Sequence, residues 1–199
     1  MTDVAIIDCG GANIASLVFA FERLQAKVTL TADVDVIRGA SRVVLPGVGA
    51  AKDAMSRLTQ AGLVEVIGEL TQPLLGICLG MQLLATSSEE EDVKCLDIVP
   101  GIATKLSPSR TLSVPNMGWC RVSQSGSQEL FAGIADDSYF YFVHSYVLPI
   151  AGFTIATAVH ADPFTAVLAR DNFYAAQFHP ERSAEPGARF LQNFLSIAS

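Results

Sequence analysis

Charged residues are scarce in this sequence. Only 17% of its 199 residues are charged and 50% are hydrophobic, which excludes a disordered chain and predicts a large buried core. The 13 Lys and Arg residues are outnumbered by 20 Asp and Glu residues, and the net charge is −7. A surface that binds the phosphates of nucleic acids is therefore not expected.

Long apolar runs and a basic leader are also missing. The uncharged stretch at residues 73–84 is shorter than the roughly 20 apolar residues that span a bilayer, so we expect no membrane association. The opening MTDVAIIDCGG has no basic segment before its apolar run. We therefore expect no signal peptide and a cytoplasmic protein.

The four cysteines, at positions 9, 78, 95 and 120, form no C-x-x-C pair. Their spacing does not favour a zinc site or a thioredoxin-type site. A cytoplasmic protein is also not expected to carry a disulfide framework. The sequence therefore predicts reduced thiols, no metal and no organic cofactor.

Short apolar runs alternate with helical patterns in the first half of the chain. The predicted elements are strands over 4–8, 27–31, 42–49 and 73–78, and helices over 12–25 and 51–71, the second helix broken near Gly62. Strands that alternate with helices indicate βαβ units and a parallel sheet. Sites in such sheets form at the carboxyl ends of the strands.

The second half consists mainly of strand-like runs. They cover 138–148, 153–161, 164–170 and 173–180, with a hairpin turn at 169–173 and a closing amphipathic helix over 184–198. The sequence thus predicts an α/β fold in one domain, residues 1–199. We expect a three-layer α/β/α arrangement with a mostly parallel central sheet and antiparallel additions in the C-terminal half.

Cys78 lies where a predicted strand gives way to a helix, in Gly76-Ile77-Cys78-Leu79-Gly80. A free cysteine is often inert packing in a core. The alternative is a nucleophile elbow, a turn so tight that the residues two before and two after the nucleophile must be small. Gly76 and Gly80 meet that demand, and the N-terminus of the following helix favours a thiolate.

A cysteine nucleophile usually needs a base, and the chain has three histidines. His160, beside an Asp-Pro pair, is predicted to be a solvated loop residue, and His144 could be a core or a binding residue. His179 is the best candidate because it ends an apolar strand. Pro180 favours extended backbone at His179, so Glu181, two residues on, should share its face and orient the imidazole. The alternative is a terminal histidine with an exposed glutamate.

Acyl transfer also needs donors for the developing oxyanion. Elbow geometry supplies the backbone N–H of Leu79. The PGVG segment, residues 46–49, offers another at Val48 or Gly49, because glycine permits close approach and positive φ. A plain strand-to-helix turn is the alternative interpretation of PGVG.

Four segments in this order, PGVG, GICLGMQLL, YFVHSY and QFHPERS, resemble class I glutamine amidotransferases. The resemblance implies that Cys78 attacks the side-chain amide of glutamine, His179 shuttles the proton and Glu181 orients His179. A glutamyl thioester would form, water would release glutamate, and ammonia would pass to a synthase partner.

The same resemblance implies a set of glutamine-binding residues: Gly47, Gly49, Gln82, Glu90, His144, Ser145 and Tyr146. A polar lining of this kind suits a zwitterionic substrate. Glu90 is the weakest match, because it lies in the acidic run SSEEED and such runs are more often solvated surface.

Further segments, among them DCGGANIASL, PGVGAAKDAM and MGW, resemble the glutaminases of imidazole glycerol phosphate synthase, an enzyme of histidine biosynthesis. The resemblance implies a heterodimer with a (β/α)8-barrel cyclase, which makes imidazole glycerol phosphate and aminoimidazole carboxamide ribotide. It also implies a partner interface at Asn116, Met117, Trp119 and Arg182, although Trp119 could be a core residue instead. Asn116 and Cys120 depart from the His and Asn usual there, which puts the coupling to the partner in question.

Three other functions remain compatible with the sequence. The same glutaminase chemistry could serve another synthase, or the chain could be a free-standing cysteine hydrolase such as a peptidase or a γ-glutamyl hydrolase. It could also be a non-catalytic scaffold, although the intact Cys-His-Glu set argues against that.

Overall fold

The computed structural model describes residues 2–10, 14–47, 49–108, 112–126 and 128–198. Val48, an oxyanion candidate, lies outside the described residues. The strands are β1 (Asp3–Ile7), β2 (Lys27–Thr31), β3 (Arg42–Leu45), β4 (Leu74–Ile77), β5 (Ser87–Ser88), β6 (Val93–Lys94), β7 (Ile102–Lys105), β8 (Asn116–Gln124), β9 (Ser138–His144), β10 (Tyr146–Val147), β11 (Thr154–His160), β12 (Asp162–Arg170) and β13 (Phe173–Ala176). The helices are α1 (Ile14–Arg23), α2 (Val34–Gly39), α3 (Ala51–Gln60), α4 (Leu63–Gly68), α5 (Leu79–Leu83) and α6 (Ala184–Ser196), with 3-10 turns at Glu90–Asp92, Glu129–Phe131 and Pro180–Arg182.

A nine-stranded mixed sheet organises these elements, in the order β2-β1-β3-β4-β13-β12-β11-β8-β9. The strands from β2 to β13 run parallel to one another, and the rest of the sheet is antiparallel. A smaller sheet, β10-β7-β5-β6, lies beside it. The carboxyl ends of β3, β4 and β13 are neighbours, so the segments that follow these strands meet at one edge.

The two faces of the large sheet bury separate apolar clusters. Successive side chains of a strand point to opposite faces, so Val4 and Ile6 of β1 join one cluster while Ala5 and Ile7 join the other. Helices α1 and α6 pack on the first face, and α2, α3, α4 and α5 on the second. The result is the three-layer arrangement predicted from the sequence. Among the described residues, no helix is both long and apolar enough to cross a membrane.

Local sequence signals located some boundaries and missed others. The predicted helix over 51–71 is indeed broken at Gly62, which has φ +68° and precedes α4. The predicted strand over 42–49 ends at Leu45, and the turn follows directly. The prediction did not include α2 or β8. Strand β8 has nine residues, but its side chains alternate irregularly between buried and exposed, so its pattern is a weak strand signal.

The expectation for His160 was wrong. It ends β11 and is 8% exposed, and its Nε2 donates to the carbonyl of Ser113 at 2.8 Å. The Asp-Pro pair does not break the structure, because β12 begins at Asp162 and the hairpin turns at Ala161 alone, with φ +62°. A proline at the start of a strand costs little pairing, so it is a poor sign of a loop.

Arg42 ties the sheet to the last helix. Its side chain is 6% exposed, and its guanidinium donates to the carbonyls of Phe194, Leu195 and Ile197 at the C-terminal end of α6. A cation there satisfies carbonyls that have no partner within the helix and complements the helix dipole.

We expect Arg42→Leu to lower the free energy of unfolding by about 2–3 kcal/mol, because it removes charged hydrogen bonds and leaves buried carbonyls unsatisfied. Urea unfolding followed by circular dichroism measures the change. Arg38→Leu is the control: Arg38 pairs with Glu69 on the surface, where both side chains are more than half exposed. Its loss should cost under about 1 kcal/mol. Equal losses for the two variants would contradict the role of Arg42.

Candidate active site

Cys78 occupies the turn between β4 and α5 in a strained backbone conformation. Its φ is +53° and its ψ is −110°. Positive φ is rare for a residue with a side chain and is found where surrounding structure enforces it. The thiol is thereby presented at the sheet edge while its residue remains only 8% exposed.

Three glycines make this turn possible. A Cβ on Gly80 would lie 1.9 Å from the carbonyl oxygen of Leu45, at the end of β3. A Cβ on Gly76 would lie 2.9 Å from Gly80 O, and one on Gly47 would lie 2.4 Å from Gly80 N. The requirement for small residues two positions either side of Cys78 is thus confirmed. The turn also packs directly against the segment that follows β3.

His179 and Glu181 come together behind Cys78. The Nδ1 atom of His179 lies 2.9 Å from Oε1 of Glu181, and their side chains are 8% and 4% exposed. His179 is extended, as predicted, but Pro180–Arg182 forms a 3-10 turn rather than a continuing strand. The pairing therefore depends on that turn, which Ser183 holds by donating from its hydroxyl to His179 O at 2.7 Å.

Burial alone would lower the pKa of His179, yet its pKa is raised well above its ordinary value. Hydrogen bonds with Cys78 and Glu181, together with the charges of these two groups, outweigh the burial. The site therefore favours a proton on the imidazole. A protonated imidazole between a sulfur and a carboxylate is poised to give its proton to a leaving group.

A cleft of about 400 Å³ opens beside Cys78 and His179. Its lining includes all seven residues expected to bind substrate: Gly47, Gly49, Gln82, Glu90, His144, Ser145 and Tyr146. Leu79 and Arg182 also line it. The N–H of Leu79 begins α5, so the helix's own hydrogen-bond pattern does not use it. Gly49 has φ +91°, a conformation that favours glycine.

The acidic run at the rim of the cleft is anchored to backbone. Glu90 accepts from the N–H of Ala51 at 2.8 Å, where it caps α3, and Glu89 accepts from the N–H of Lys105 at 2.8 Å. Ala50, at the N-cap position of α3, provides no side-chain cap. Glu90 thus lines the cleft and is also bonded to the N-terminus of α3.

His144 lines the cleft, but protein groups already occupy both of its ring nitrogens. Nδ1 lies 3.0 Å from the carbonyl oxygen of Tyr146 and Nε2 lies 3.1 Å from Nδ2 of Asn116. Burial lowers the pKa of His144 to about 4, against the opposing effect of the Tyr146 carbonyl. The ring is therefore neutral at physiological pH.

The four residues expected at a partner interface lie in different settings. Met117 and Trp119, on β8, are 65% and 49% exposed. Arg182 lines the cleft, with its guanidinium 4.8 Å from the centre of the Tyr141 ring. Asn116 is 3% exposed and faces His144, so its side chain points into the protein rather than toward a partner.

Sequence reasoning missed Gln177. It is fully buried, and its Nε2 lies 3.8 Å from the sulfur of Cys78, while its Oε1 accepts from Nε2 of Gln82 at 3.1 Å. The available signal was a glutamine within the otherwise apolar run FYAAQF, two residues before His179. Among the described residues, no cluster of three or more side chains is suited to hold a metal ion.

Comparison with known proteins assigns the family. The model described as "Glutamine amidotransferase class-I" matches residues 5–198. The chain belongs to the class I glutamine amidotransferases, and it is an enzyme of that class.

Its similarity is strong to proteins named imidazole glycerol phosphate synthase subunit HisH. The one from Xanthomonas axonopodis pv. citri is 50% identical over 198 residues, which cover 100% of this chain and 99% of that protein. The one from Xylella fastidiosa is 47% identical over 197 residues, covering 99% and 98%.

Solved structures show the same fold at low identity. A protein assigned as a GMP synthase subunit, from Thermoplasma acidophilum, matches with a TM-score of 0.75 at 22% identity, covering 98% of this chain and 93% of that one. A crystal structure of a glutamine amidotransferase also has a TM-score of 0.75, at 15% identity, covering 98% and 99%. The predicted fold class is confirmed.

We expect iodoacetamide to label Cys78 well before the other cysteines of the native protein. Burial raises the pKa of Cys9 and Cys95 to about 11 and also raises that of Cys120, so these remain thiols at neutral pH. Cys78 borders the cleft and is hydrogen-bonded to His179, whose raised pKa favours the charged ring that stabilises a thiolate. Timed alkylation followed by peptide mass spectrometry measures the order. Labelling of all four at equal rates would contradict an activated Cys78.

We also expect Cys78→Ala to lower the pKa of His179, because it removes a hydrogen bond that favours the imidazolium while burial remains. In the wild type, this stabilisation of the protonated ring is present at neutral pH and is lost as pH rises through the raised pKa. A nitrogen-15 NMR titration of the three histidines measures the pKa of His179 in the two proteins. His144, which is neutral above about pH 4, is the internal control. Identical His179 curves in the two proteins would be the contrary result.

Proposed function

We propose that the chain is the glutaminase subunit of imidazole glycerol phosphate synthase, with residues 1–199 acting as one glutamine amidotransferase domain. The observation that carries the chemistry is that Cys78 and His179 line one cleft while Glu181 is bonded to His179 behind it. Similarity over essentially the full length to HisH subunits supports the choice of synthase.

In the proposed reaction, the sulfur of Cys78 attacks the carbonyl carbon of the glutamine side-chain amide. His179 holds the thiol proton and gives it to the departing nitrogen, which leaves as ammonia. The γ-glutamyl thioester that remains is attacked by water, whose proton passes to His179 and then to the sulfur as glutamate leaves. Glu181 keeps the imidazole oriented through Nδ1 and stabilises its positive charge.

Charge that develops on the carbonyl oxygen needs donors in place before the attack. The N–H of Leu79 is one, and the turn at Gly47 and Gly49 supplies the other, at Val48 or Gly49. Gly47 packs against Leu79 and Gly80 at the start of α5, which supports a proposal in which donors from two strand ends act on one oxygen. Removing one such donor typically costs on the order of a hundredfold or more in rate.

The rest of the cleft suits a glutamine zwitterion. Glu90 and Tyr146 lie at the rim, where the carboxylate can meet the substrate's α-ammonium, and Ser145 and Gln82 line the wall. Both ring nitrogens of His144 are already bonded, so in this proposal the ring does not bind the substrate itself. It positions the Tyr146 carbonyl and the backbone beside the cleft.

The partner in this proposal is a (β/α)8-barrel cyclase that receives the ammonia. Trp119 packs edge-on against Tyr141, with ring centroids 6.0 Å apart, and Arg182 stacks on the same tyrosine. Exposed Trp119 is therefore linked through Tyr141 to Arg182, which lines the cleft, and exposed Met117 lies two residues before Trp119 on β8. A half-exposed tryptophan beside an arginine is typical of an interface anchor. We infer a heterodimer on these grounds, and a cytoplasmic location is part of the same proposal.

The experiment that tests the function measures glutamate release by the purified chain, alone and with the barrel cyclase and its nucleotide ligand. We expect the liganded cyclase to raise the rate strongly. We also expect Cys78→Ala to abolish glutamine-dependent synthesis by the complex while synthesis from added ammonia survives.

Two results would contradict the proposal in different ways. High glutaminase activity without the cyclase, unchanged when it is added, would indicate a free hydrolase or another synthase. Full glutamine-dependent synthesis by Cys78→Ala would remove Cys78 from the chemistry. Loss of ammonia-dependent synthesis in the same variant would show instead that the substitution had damaged the complex.

A further inference from the structure

A fully buried side-chain amide lies directly behind the candidate nucleophile. Gln177 follows β13 and is 0% exposed, between Ala176 and Phe178 of the core. Its Nε2 is 3.8 Å from the sulfur of Cys78, within hydrogen-bonding range for sulfur. The amide thus contacts a reacting atom from the side opposite solvent.

The orientation of this amide is determined by Gln82. Nε2 of Gln82 donates to Tyr146 O at 2.9 Å and to Oε1 of Gln177 at 3.1 Å. Since Oε1 of Gln177 is engaged as an acceptor, its NH2 group must face Cys78. A flipped amide would place NH2 against NH2 at Gln82 and an oxygen against the sulfur, so both contacts would become repulsive.

The chain of hydrogen bonds continues to β8. A carbonyl oxygen carries no proton, so the contact with Tyr146 O requires the hydrogen of neutral His144 to be on Nδ1. Nε2 of His144 then accepts from Nδ2 of Asn116. These bonds form a continuous path from Asn116 to Cys78, and a buried network of this kind favours one orientation for each amide.

Ionisation of Cys78 changes the hydrogen bonds that its sulfur can make. As a neutral thiol, Cys78 donates its hydrogen to Val143 O, 3.6 Å away. When the thiol ionises, that carbonyl oxygen faces a negative charge and no longer has a proton to accept. The N–H of Gln177 then provides a compensating bond on the buried side of the sulfur, where a bond to an ionised group is stronger than in solution.

We propose that Gln177 is a further residue of the active site, whose side-chain N–H stabilises the Cys78 thiolate. Gln82, the Tyr146 carbonyl, His144 and Asn116 act as positioning groups that hold the Gln177 amide in the required orientation. This inference rests on the proposed function, in which Cys78 is the nucleophile.

The test uses Gln177→Glu, which preserves shape and can still accept from Gln82 but has no N–H for the sulfur. The iodoacetamide rate constant of Cys78 is measured against pH in the full-length protein. We expect it to fall on the order of tenfold at neutral pH, with the pH of half-maximal rate moving upward. The charged groups of the site are unchanged: His179 and Glu181 behind the sulfur, and Glu90 and Arg182 in the lining of the cleft.

Two further variants separate the possible causes. Gln177→Met removes the donor without adding a charge, so a similar fall shows that the loss of the N–H is sufficient. Asn193→Asp is the matched amide-to-carboxylate control: Nδ2 of Asn193 donates to Leu130 O and Ala132 O, both at 2.9 Å, away from the cleft. It should lower the melting temperature without changing the alkylation of Cys78.

If the Gln177 variants fail to fold, NMR of the unsubstituted protein still tests the inference. The side-chain NH2 resonances of Gln177 should shift as Cys78 ionises, and this shift should be absent in Cys78→Ala. Wild-type alkylation profiles in folded Gln177 variants, or NH2 resonances insensitive to Cys78, would overturn the inference. If Cys78→Ala still hydrolyses glutamine, the proposed function itself has failed, which is a different result.

Discussion

The close crossing of two backbones controls the rest of this site. The start of α5 passes so near the end of β3 that only glycine fits at position 80, and the Leu45 carbonyl fills the space where a side chain would stand. This contact forces the left-handed turn at Cys78. It also places Gly47 beside Leu79 and Gly80, so Cys78 and the residue that follows Pro46 are positioned by the same packing.

The ion pair at this edge of the sheet is almost completely desolvated. His179 and Glu181 have little contact with water, and the pKa of His179 is raised because Cys78 and Glu181 act on it at short range. The second carboxylate oxygen of Glu181 has no hydrogen-bond partner among the described residues. An incompletely paired buried carboxylate is costly, and a positive charge on the neighbouring imidazole reduces that cost.

The antiparallel half of the sheet brings a second polar system to the same place. Strands β8 and β9 pair so that Asn116 lies opposite His144, and the hydrogen bonds run on toward Cys78. The adjacent residue Met117 points outward and is exposed. One strand thus has one side chain in the polar network and the next on the open surface, which gives a physical connection between the cleft and that surface.

The sequence by itself determined the elements whose signals are local. Apolar periodicity located the parallel strands and the last helix, and spaced glycines around Cys78 indicated the elbow, because both depend on contacts between near neighbours in the chain. The tertiary structure alone decided the burial of His160 and Asn116, the anchoring of Glu90 on Ala51 and the contact of Gln177 with Cys78. Each depends on strands that meet across long sequence separations, and no local pattern records which side chain a distant strand brings near.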